Sequence, residues 1–527
     1  MQTWVSNELE TAHLGDQRLD RRFGLLLDRM SAKPSLKFPA ACKGWAEIHA
    51  AYLFVKNDRV TPQKILAPHR QATIQRIKEQ KVVILPQDTT EIDVTRKHEK
   101  MEGAGPLDDG SRIGFLAHPL LAVTPDKLVL GVVAAEIWTR PADTLSLRKT
   151  TTRSKRQAKP IEQKESFRWL EGYRQACQVA QEAPETQVIC VSDSEGDIFE
   201  CYAEELAQAA AGKRTADWIV RACRDRCLVP ASRSTPEDPS SGDTEAAPAL
   251  LWATVAARPV LRTISVQVRP HEAKSGDRQK RKKARSGRTA VLSVRAAGVT
   301  LRGPSRKGGR LPDLRINAVL VREEAPPEGE EPIEWFLLTN LPIDYVEDII
   351  SIIEYYCCRW QVEIYFKVLK SGCKVEDSQL EKAKRFTVYL ALQMIVAWRV
   401  MYAMTLGREC PELPCDVVFE PEEWQAVYAV VKEEPPPATP PKLREVVGLI
   451  ASLGGYIGRK KDGPPGPKAV WVGMQRMMDL AQGWRARTEQ TPRPRDQQKG
   501  EPAINSKRRT HTDYAPRQPT DRDVYND

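Results

Sequence analysis

Two aspartates close apolar runs in this sequence: Asp88 follows VVILPQ and Asp193 follows QVICVS. Ligand sites gather at the ends of strands in open α/β sheets, although polar residues also end strands simply because water is near. Further along, Tyr356, Arg359, Glu363 and Lys370 stand at offsets of 0, 3, 7 and 14. Wound as a helix at about 100° per residue, they fall inside roughly a 60° arc spread over about 21 Å. One face then presents an acid, two cations and a phenol. A carboxylate beside two strand-end aspartates makes a hard oxygen site suited to Mg2+ or Mn2+. Two such ions can activate an attacking water or 3′-hydroxyl and stabilise the leaving oxygen of a phosphodiester. Arg359 would hold a flanking phosphate as a bidentate fork and Lys370 as a point charge. Tyr356 would donate to a phosphate or stack on a base. The plainer alternative is an exposed helix on which Glu363 pairs with Arg359 or Lys367 four residues away.

The elements that must position these residues are readable in outline. From Trp4 to about Ile77 apolar residues recur at three and four spacing, as in RLDRRFGLLLDRM and WAEIHAAYLFVKN, which predicts three or so helices. Arginines cluster there after the turn Leu14-Gly15-Asp16, at Arg18, Arg21, Arg22 and Arg29. Then come continuous apolar runs rich in β-branched residues, VVILPQD, FLAHPLLAV and LVLGVVAAEIW, and after the helical ESFRWLEGYRQACQVAQ a further run, TQVICVSD. Strands buried on both faces and interleaved with a helix imply an α/β core. Between about 216 and 338, WIVRAC, LRTISVQVRP, TAVLSVRAAGVTL and LRINAVLVREE read as an antiparallel insertion. It contains KSGDRQKRKKARSGR, residues 274–288, with eight Lys or Arg and one Asp. Such a block is expected to be a loop able to neutralise phosphates without reading sequence. One helix is expected from about Val346 to Lys370 and another from about Leu380 to Leu406. KEEPPPATPPK marks a linker near residue 436, a last helical module reaches about Arg487, and the polar, proline-bearing remainder to Asp527 is expected to be disordered.

Composition bounds the partners. The chain has 527 residues and 59.3 kDa, room for several folding units, so a small disulfide scaffold is excluded. Lys and Arg number 80 against 70 Asp and Glu, giving +10, which suits an anionic partner without naming it. Eleven scattered cysteines with no CxxC pair read as reduced thiols, not as a secreted framework or a zinc site. MQTWVSNELE lacks an apolar signal core, and YLALQMIVAW is short for a bilayer and contains Gln393, so no membrane span is expected.

The residues Tyr356 to Lys370, YCCRWQVEIYFKVLK, fill a Y-x2-R-x3-E-x6-K signature. They resemble the DDE transposases of bacterial insertion sequences, the Tn-five-like group. QDTTEID is similar to the family's block around the first aspartate, VSDSEGDIFECY to that around the second, and IEWFLLTNLPI to the block holding a tryptophan ahead of the glutamate. LGDQRLDRR and AAYLFVKNDRV resemble its N-terminal DNA-binding region, and LGGYIGRKKDGPPGPKAVWVGMQRMMDL its C-terminal module, so the likeness runs from about Trp4 to Trp484.

The resemblance implies an α/β, ribonuclease-H-like catalytic core at 78–215 and 339–406. A β-rich insertion is expected at 216–338, a helical end-recognition domain at 1–77, a helical dimerisation module at 407–487 and a disordered tail at 488–527. It implies Asp88, Asp193 and Glu363 as catalytic carboxylates holding two Mg2+ or Mn2+ ions. It also implies cut-and-paste transposition through a hairpin, with strand transfer by a 3′-hydroxyl. Trp335, by itself an ordinary core tryptophan, matches the base-displacing position. Tyr356, Arg359 and Lys370 would clamp the phosphate of the flipped nucleotide, and Arg221, Arg18 and Arg22 would contact DNA. The implied partners are double-stranded transposon ends, target DNA and a second copy of the chain, in the cytoplasm near the nucleoid. Asp93, Glu195 and Asp197 read as supporting residues, Trp360 as packing or DNA contact, and the seven histidines show no catalytic or metal spacing. A silent domesticated DNA-binding protein and a two-metal structure-specific nuclease are the rival readings.

Overall fold

The run VVILP forms β1 (Val82–Pro86), with β6 (Gln187–Ser192) and then β7 (Asp217–Arg221) lying parallel beside it. In the computed structural model, which describes residues 2–96, 100–108, 110–144, 152, 159–229, 249–268, 286–306, 308–459 and 462–490, these strands are the centre of one large mixed sheet. Their crossovers carry α6 (Phe167–Glu182) and α7 (Phe199–Ala210), because parallel neighbours cannot be joined by a tight turn. On the near side β4 (Ile113–Val123) runs antiparallel to β1. It also pairs with β2 (Thr90–Asp93), the short β3 (Gly105–Pro106) and β5 (Val129–Trp138). Every residue of β4 after Ile113 is buried, as its unbroken apolar run predicts.

Beyond β7 the sheet continues without interruption. Antiparallel β13 (Glu334–Thr339), β12 (Leu314–Glu323), β9 (Arg288–Leu301) and β8 (Arg262–Val268) follow in that order, while β10 (Ser305–Arg306) and β11 (Gly309–Arg310) form a separate ribbon. The stretch 216–338, read from sequence as an insertion, is antiparallel after β7. Its first strand, however, pairs in parallel with β6, and Leu338 of β13 faces Val220, so the same sheet serves both segments. The short helix α8 (Leu251–Ala256) lies within this stretch. Most of the block 274–288 lies outside the described residues, as do 230–248 and the tail from 491. Its last member, Arg288, is paired with Glu323 and Glu330.

The N-terminal module has five helices, where three or so were expected: α1 (Thr3–Glu8), α2 (Gln17–Ala32), α3 (Phe38–Ala41), α4 (Gly44–Lys56) and α5 (Pro62–Lys78). Asp16 caps α2 by accepting from Arg18 N at 2.8 Å, and Phe23, Leu26, Leu27 and Met30 give it a buried stripe. A buried polar knot joins the module to the sheet. Glu8 bonds His69 Nδ1 at 2.5 Å and pairs with Arg76 at 3.0 Å, His69 Nε2 accepts from Val132 N at 2.9 Å, and Arg76 lies over the Trp398 ring. Burial pushes the Glu8 pKa up, but His69 and Arg76 outweigh it and hold this carboxyl below its ordinary range.

Two departures concern the C-terminal half. The single helix expected from Val346 to Lys370 is instead α9 (Val346–Cys357), α10 (Trp360–Lys367) and a π-turn at Val368–Gly372. Arg359 N, Gln361 N and Val362 N each bond three residues back, and Cys373 N bonds five back to Val368 O. The first overwinds the helix and the second underwinds it, so constant 100° winding fails on both sides of Glu363. The next helix, α11 (Ala383–Glu409), starts and ends three residues later than expected. It is long and apolar enough to cross a membrane by length and composition, yet 89% of its most apolar window is buried inside the protein. α12 (Pro421–Lys432), α13 (Leu443–Leu453) and α14 (Pro467–Gln490) follow. Residues Met1–Trp484 form one compact unit, held by apolar clusters on both faces of the sheet.

Candidate active site

Asp88 and Asp193 each stand two residues past Pro86 and Val191, the last register pair of β1 and β6. Gln87 N extends the ladder by donating to Val191 O at 3.0 Å. Neighbouring strands lie about 4.8 Å apart, so both carboxyls emerge at one end of the sheet. Thr89 N donates to Asp88 Oδ1 at 2.7 Å, and Glu195 N to Asp193 Oδ1 at 2.8 Å, where Asp193 caps a short 3-10 turn. Glu363 arrives from the first turn of α10, and Arg359 from the tight turn before it. Arg359 Nη1 lies 3.2 Å from Asp88 Oδ2, and Nη2 donates to Glu363 Oε1 at 2.9 Å. The i, i+4 pair is therefore present, and it reaches a strand-end aspartate as well.

The electrostatics follow. Burial raises the Asp88 pKa, Asp193 and then Glu363 add to this, and Thr89 N and Arg359 oppose it, leaving the carboxyl at about 7. A carboxyl that feels two others in this way matches, with them, a hard dication in donor type and charge. As they lie, no three His, Cys, Asp or Glu side chains among the described residues enclose an ion. The positive charge between Asp88 and Glu363 is that of Arg359.

Tyr356 is 7% exposed, and burial raises the pKa of its hydroxyl. Its ring lies 6.3 Å from that of Trp335 on β13, itself partly buried. Arg221, at the exposed end of β7, donates to Glu334 O at 3.2 Å beside that tryptophan. Trp335, Tyr356, Arg221 and Arg359 thus adjoin the carboxylates. Lys370 sits in the π-turn, where burial lowers its pKa and its charged neighbours are Glu376, Glu91, Arg112 and Asp93. It does not simply continue the stripe of Arg359 and Glu363. Trp360 is 57% exposed, which sets aside the packing reading. Asp197 is buried and holds a loop together through Tyr202, Arg226 and the backbone of Cys223 and Arg224. Arg18 and Arg22 lie on α2, with the Arg18 side chain 90% exposed beside Asp16.

Sequence reasoning missed the residues behind the aspartates. His118, 4% exposed in the middle of β4, meets Thr89 Oγ1 at Nδ1 across 2.8 Å and Gln87 Oε1 at Nε2 across 3.0 Å. Gln87 Nε2 donates in turn to Ser192 Oγ and Cys190 Sγ, both at 3.3 Å. Burial, aided by Arg168, lowers the His118 pKa to about 3, so the ring is neutral. The available signal was a polar residue inside each of two apolar runs, FLAHPLLAV and VVILPQD.

Three family models match, and their order along the chain follows the fold. "Transposase DNA-binding" matches residues 1–60, the helices α1–α4. "Transposase DDE domain" matches 206–399, which takes in Trp335, Arg359 and Glu363 and leaves Asp88 and Asp193 upstream. "Transposase Tn5 dimerisation domain" matches 395–491, from within α11 to the end of α14. DNA-binding, strand-cleaving and dimerisation domains stand in succession on one chain, and with the carboxyl-bearing end of the sheet they lead to one conclusion: the chain belongs to the Tn5-like DDE transposases, enzymes that bind DNA and cleave and transfer its strands.

Proposed function

We propose that this transposase moves its element by cutting and pasting, through a hairpin intermediate, with Asp88, Asp193 and Glu363 as the catalytic set. The observation that carries this reading is the Arg359 fork, which brings Asp88 and Glu363 together beside Asp193 although they are far apart in sequence. Their donor chemistry supports Mg2+ or Mn2+, which when bound would supply the charge that activates water or a 3′-hydroxyl and stabilises the leaving oxygen. The protein's own part is positioning. Asp88 and Asp193 project from adjacent strand ends, Glu363 from a helix end joined to Asp88 through Arg359, and Arg359 is placed to exchange a carboxylate for a phosphate oxygen.

A hairpin needs a tight turn at a duplex end, which is hard unless a base leaves the stack. Unstacking costs a few kcal/mol, and stacking on an aromatic side chain recovers about 1 to 3. Trp335, beside Tyr356 and Arg221, is our candidate aromatic for such a turn, and Arg359 and Lys370 are the cations for the adjoining phosphates. The mixed sheet, with parallel β1, β6 and β7 and antiparallel β4, supports a ribonuclease-H-like core. The N-terminal helices, with Arg18 and Arg22 on α2, would read the terminal inverted repeats, and the C-terminal helices would pair two copies so that both ends are held together. Double-stranded target DNA completes the partners, and the cytoplasm, at the nucleoid, is where that chemistry belongs.

The test is product analysis. Duplexes taken from the DNA flanking the coding region, incubated with full-length protein and Mg2+, should give fold-back strands on a denaturing gel, followed by open ends. Open ends with no fold-back precursor at any time would favour a nuclease. Binding with no cleavage in either Mg2+ or Mn2+ would favour a silent DNA-binding protein.

A further inference from the structure

Asp88 lies between Gln87 and Thr89, and Asp193 directly follows Ser192. His118 links those three flanking residues in one chain of hydrogen bonds: Thr89 Oγ1 to His118 Nδ1, His118 Nε2 to Gln87 Oε1, and Gln87 Nε2 on to Ser192 Oγ. With the Gln87 amide nitrogen on Ser192 and Cys190, its oxygen accepts from His118 Nε2, and Nδ1 is left to accept from the threonine. Three strands, β1, β4 and β6, are pinned together at the height where the aspartates leave the sheet.

The surroundings leave this chain little freedom. The Trp169 ring stands edge-on to His118, with centroids 4.8 Å apart at 77°. A Cβ at Gly172 of α6 would come within 2.0 Å of Gln87 Oε1, and one at Gly196 within 2.4 Å of the Ser192 Cβ. Buried polar groups are costly unless fully paired. This set pairs its members with one another, and apart from Cys190 every partner of His118 and Gln87 in it flanks one of the two carboxylates.

We propose that Gln87, His118, Thr89 and Ser192 form a brace that sets the separation and orientation of Asp88 and Asp193 for holding a divalent cation, with His118 as a positioning residue that touches neither ion nor DNA. The proposal rests on the reading of Asp88 and Asp193 as metal ligands. Groups that orient ligands from behind typically change metal affinity by about 10 to 100-fold when removed, so the brace is expected to act on metal affinity and not on DNA affinity.

The experiment titrates Mn2+ alone into the full-length protein and follows the free ion by its paramagnetic resonance signal, with duplex binding measured alongside. Thr89→Val removes one hydroxyl, His118→Leu removes both ring contacts, and Gly172→Ala leaves every polar group in place but pushes on Gln87. Each should weaken Mn2+ binding by about tenfold or more, with duplex affinity within about twofold of wild type. His118→Gln, which keeps a donor toward Gln87, should recover part of the loss. Should His118→Leu fail to fold, Thr89→Val and Gly172→Ala decide the matter. Wild-type Mn2+ affinity in the folded variants, with binding lost in Asp193→Ala, would overturn the brace. Wild-type affinity in Asp193→Ala itself would instead overturn the ligand reading beneath it.

Discussion

Arg359 Nη1 stands 3.2 Å from Asp88 Oδ2, joining residues 271 positions apart in sequence. The same guanidinium donates to Glu363, so one side chain bridges two of the three carboxylates. Replacing it by Gln should lower strand cleavage by about a hundredfold or more, as the loss of a charged group at a phosphoryl-transfer site does. Arg359 also lowers the proton affinity of Asp88. In Arg359→Gln the rise of cleavage rate with pH should therefore move to higher pH, which a rate profile from pH 6 to 9 would read. An unmoved profile would separate Arg359 from Asp88.

Asp88 carries a stability signature of its own. Its pKa is raised from the ordinary 3.8 to about 7, first by burial and then by Asp193, so the folded protein holds this proton more tightly than the unfolded chain. Stability should fall as pH climbs from about 4 through about 7, and the penalty should be complete above that. Asp88→Asn removes the charge. It should melt higher than wild type at pH 8, by a gain of about 1 to 3 kcal/mol, and show no such gain at pH 4. Melting of both proteins at the two pH values, without divalent ions, is the check.

The rings of Trp335 and Tyr356 lie 6.3 Å apart, tilted at 54°, beside the carboxylates. If the indole takes up an unstacked base, Trp335→Ala should leave first-strand nicking near wild type while hairpin formation falls about tenfold or more, the equivalent of about 1 to 3 kcal/mol of lost stacking. Time courses on denaturing gels separate the two steps. Equal loss of both would assign the tryptophan a packing role.

The knot of Glu8, His69 and Arg76 is structural. Glu8→Gln leaves Arg76 without its buried counter-charge and should cost about 3 kcal/mol. Because the Glu8 pKa is held below its ordinary 4.5, its contribution is present above that value and is lost as pH falls through the depressed one. The difference in melting temperature between wild type and variant should be full at pH 7 and shrink below pH 4.

Much of this was legible in the residues. β1, β4, β6 and the first half of β5 appear as apolar runs because strands covered on both faces need no polar alternation, and Asp88 and Asp193 stood out as the polar ends of two of them. The antiparallel strands β8, β9 and β12 were visible too. What could not be read was how the sheet joins: nothing local in WIVRAC says that β7 pairs in parallel with β6 on one side and antiparallel with β13 on the other. The helix carrying Tyr356 to Lys370 was read as regular because periodicity assumes constant winding. The tight turn at Cys358 and Arg359 and the π-turn at Val368–Gly372 depend on backbone bonds that side-chain spacing does not encode. His118 escaped for a related reason, since its partners Thr89 and Gln87 lie across a strand pair.

If Asp88, Asp193 and Glu363 act together in cutting DNA, Asp193→Ala alone should abolish it; the variant is checked for folding and duplex binding and then assayed with Mg2+ on end-bearing duplexes beside wild type. Wild type should give nicks and hairpins and the variant neither, with duplex affinity within about twofold, because a residue that acts only on the reacting phosphate leaves duplex binding intact. Cleavage by Asp193→Ala at the wild-type rate would contradict it.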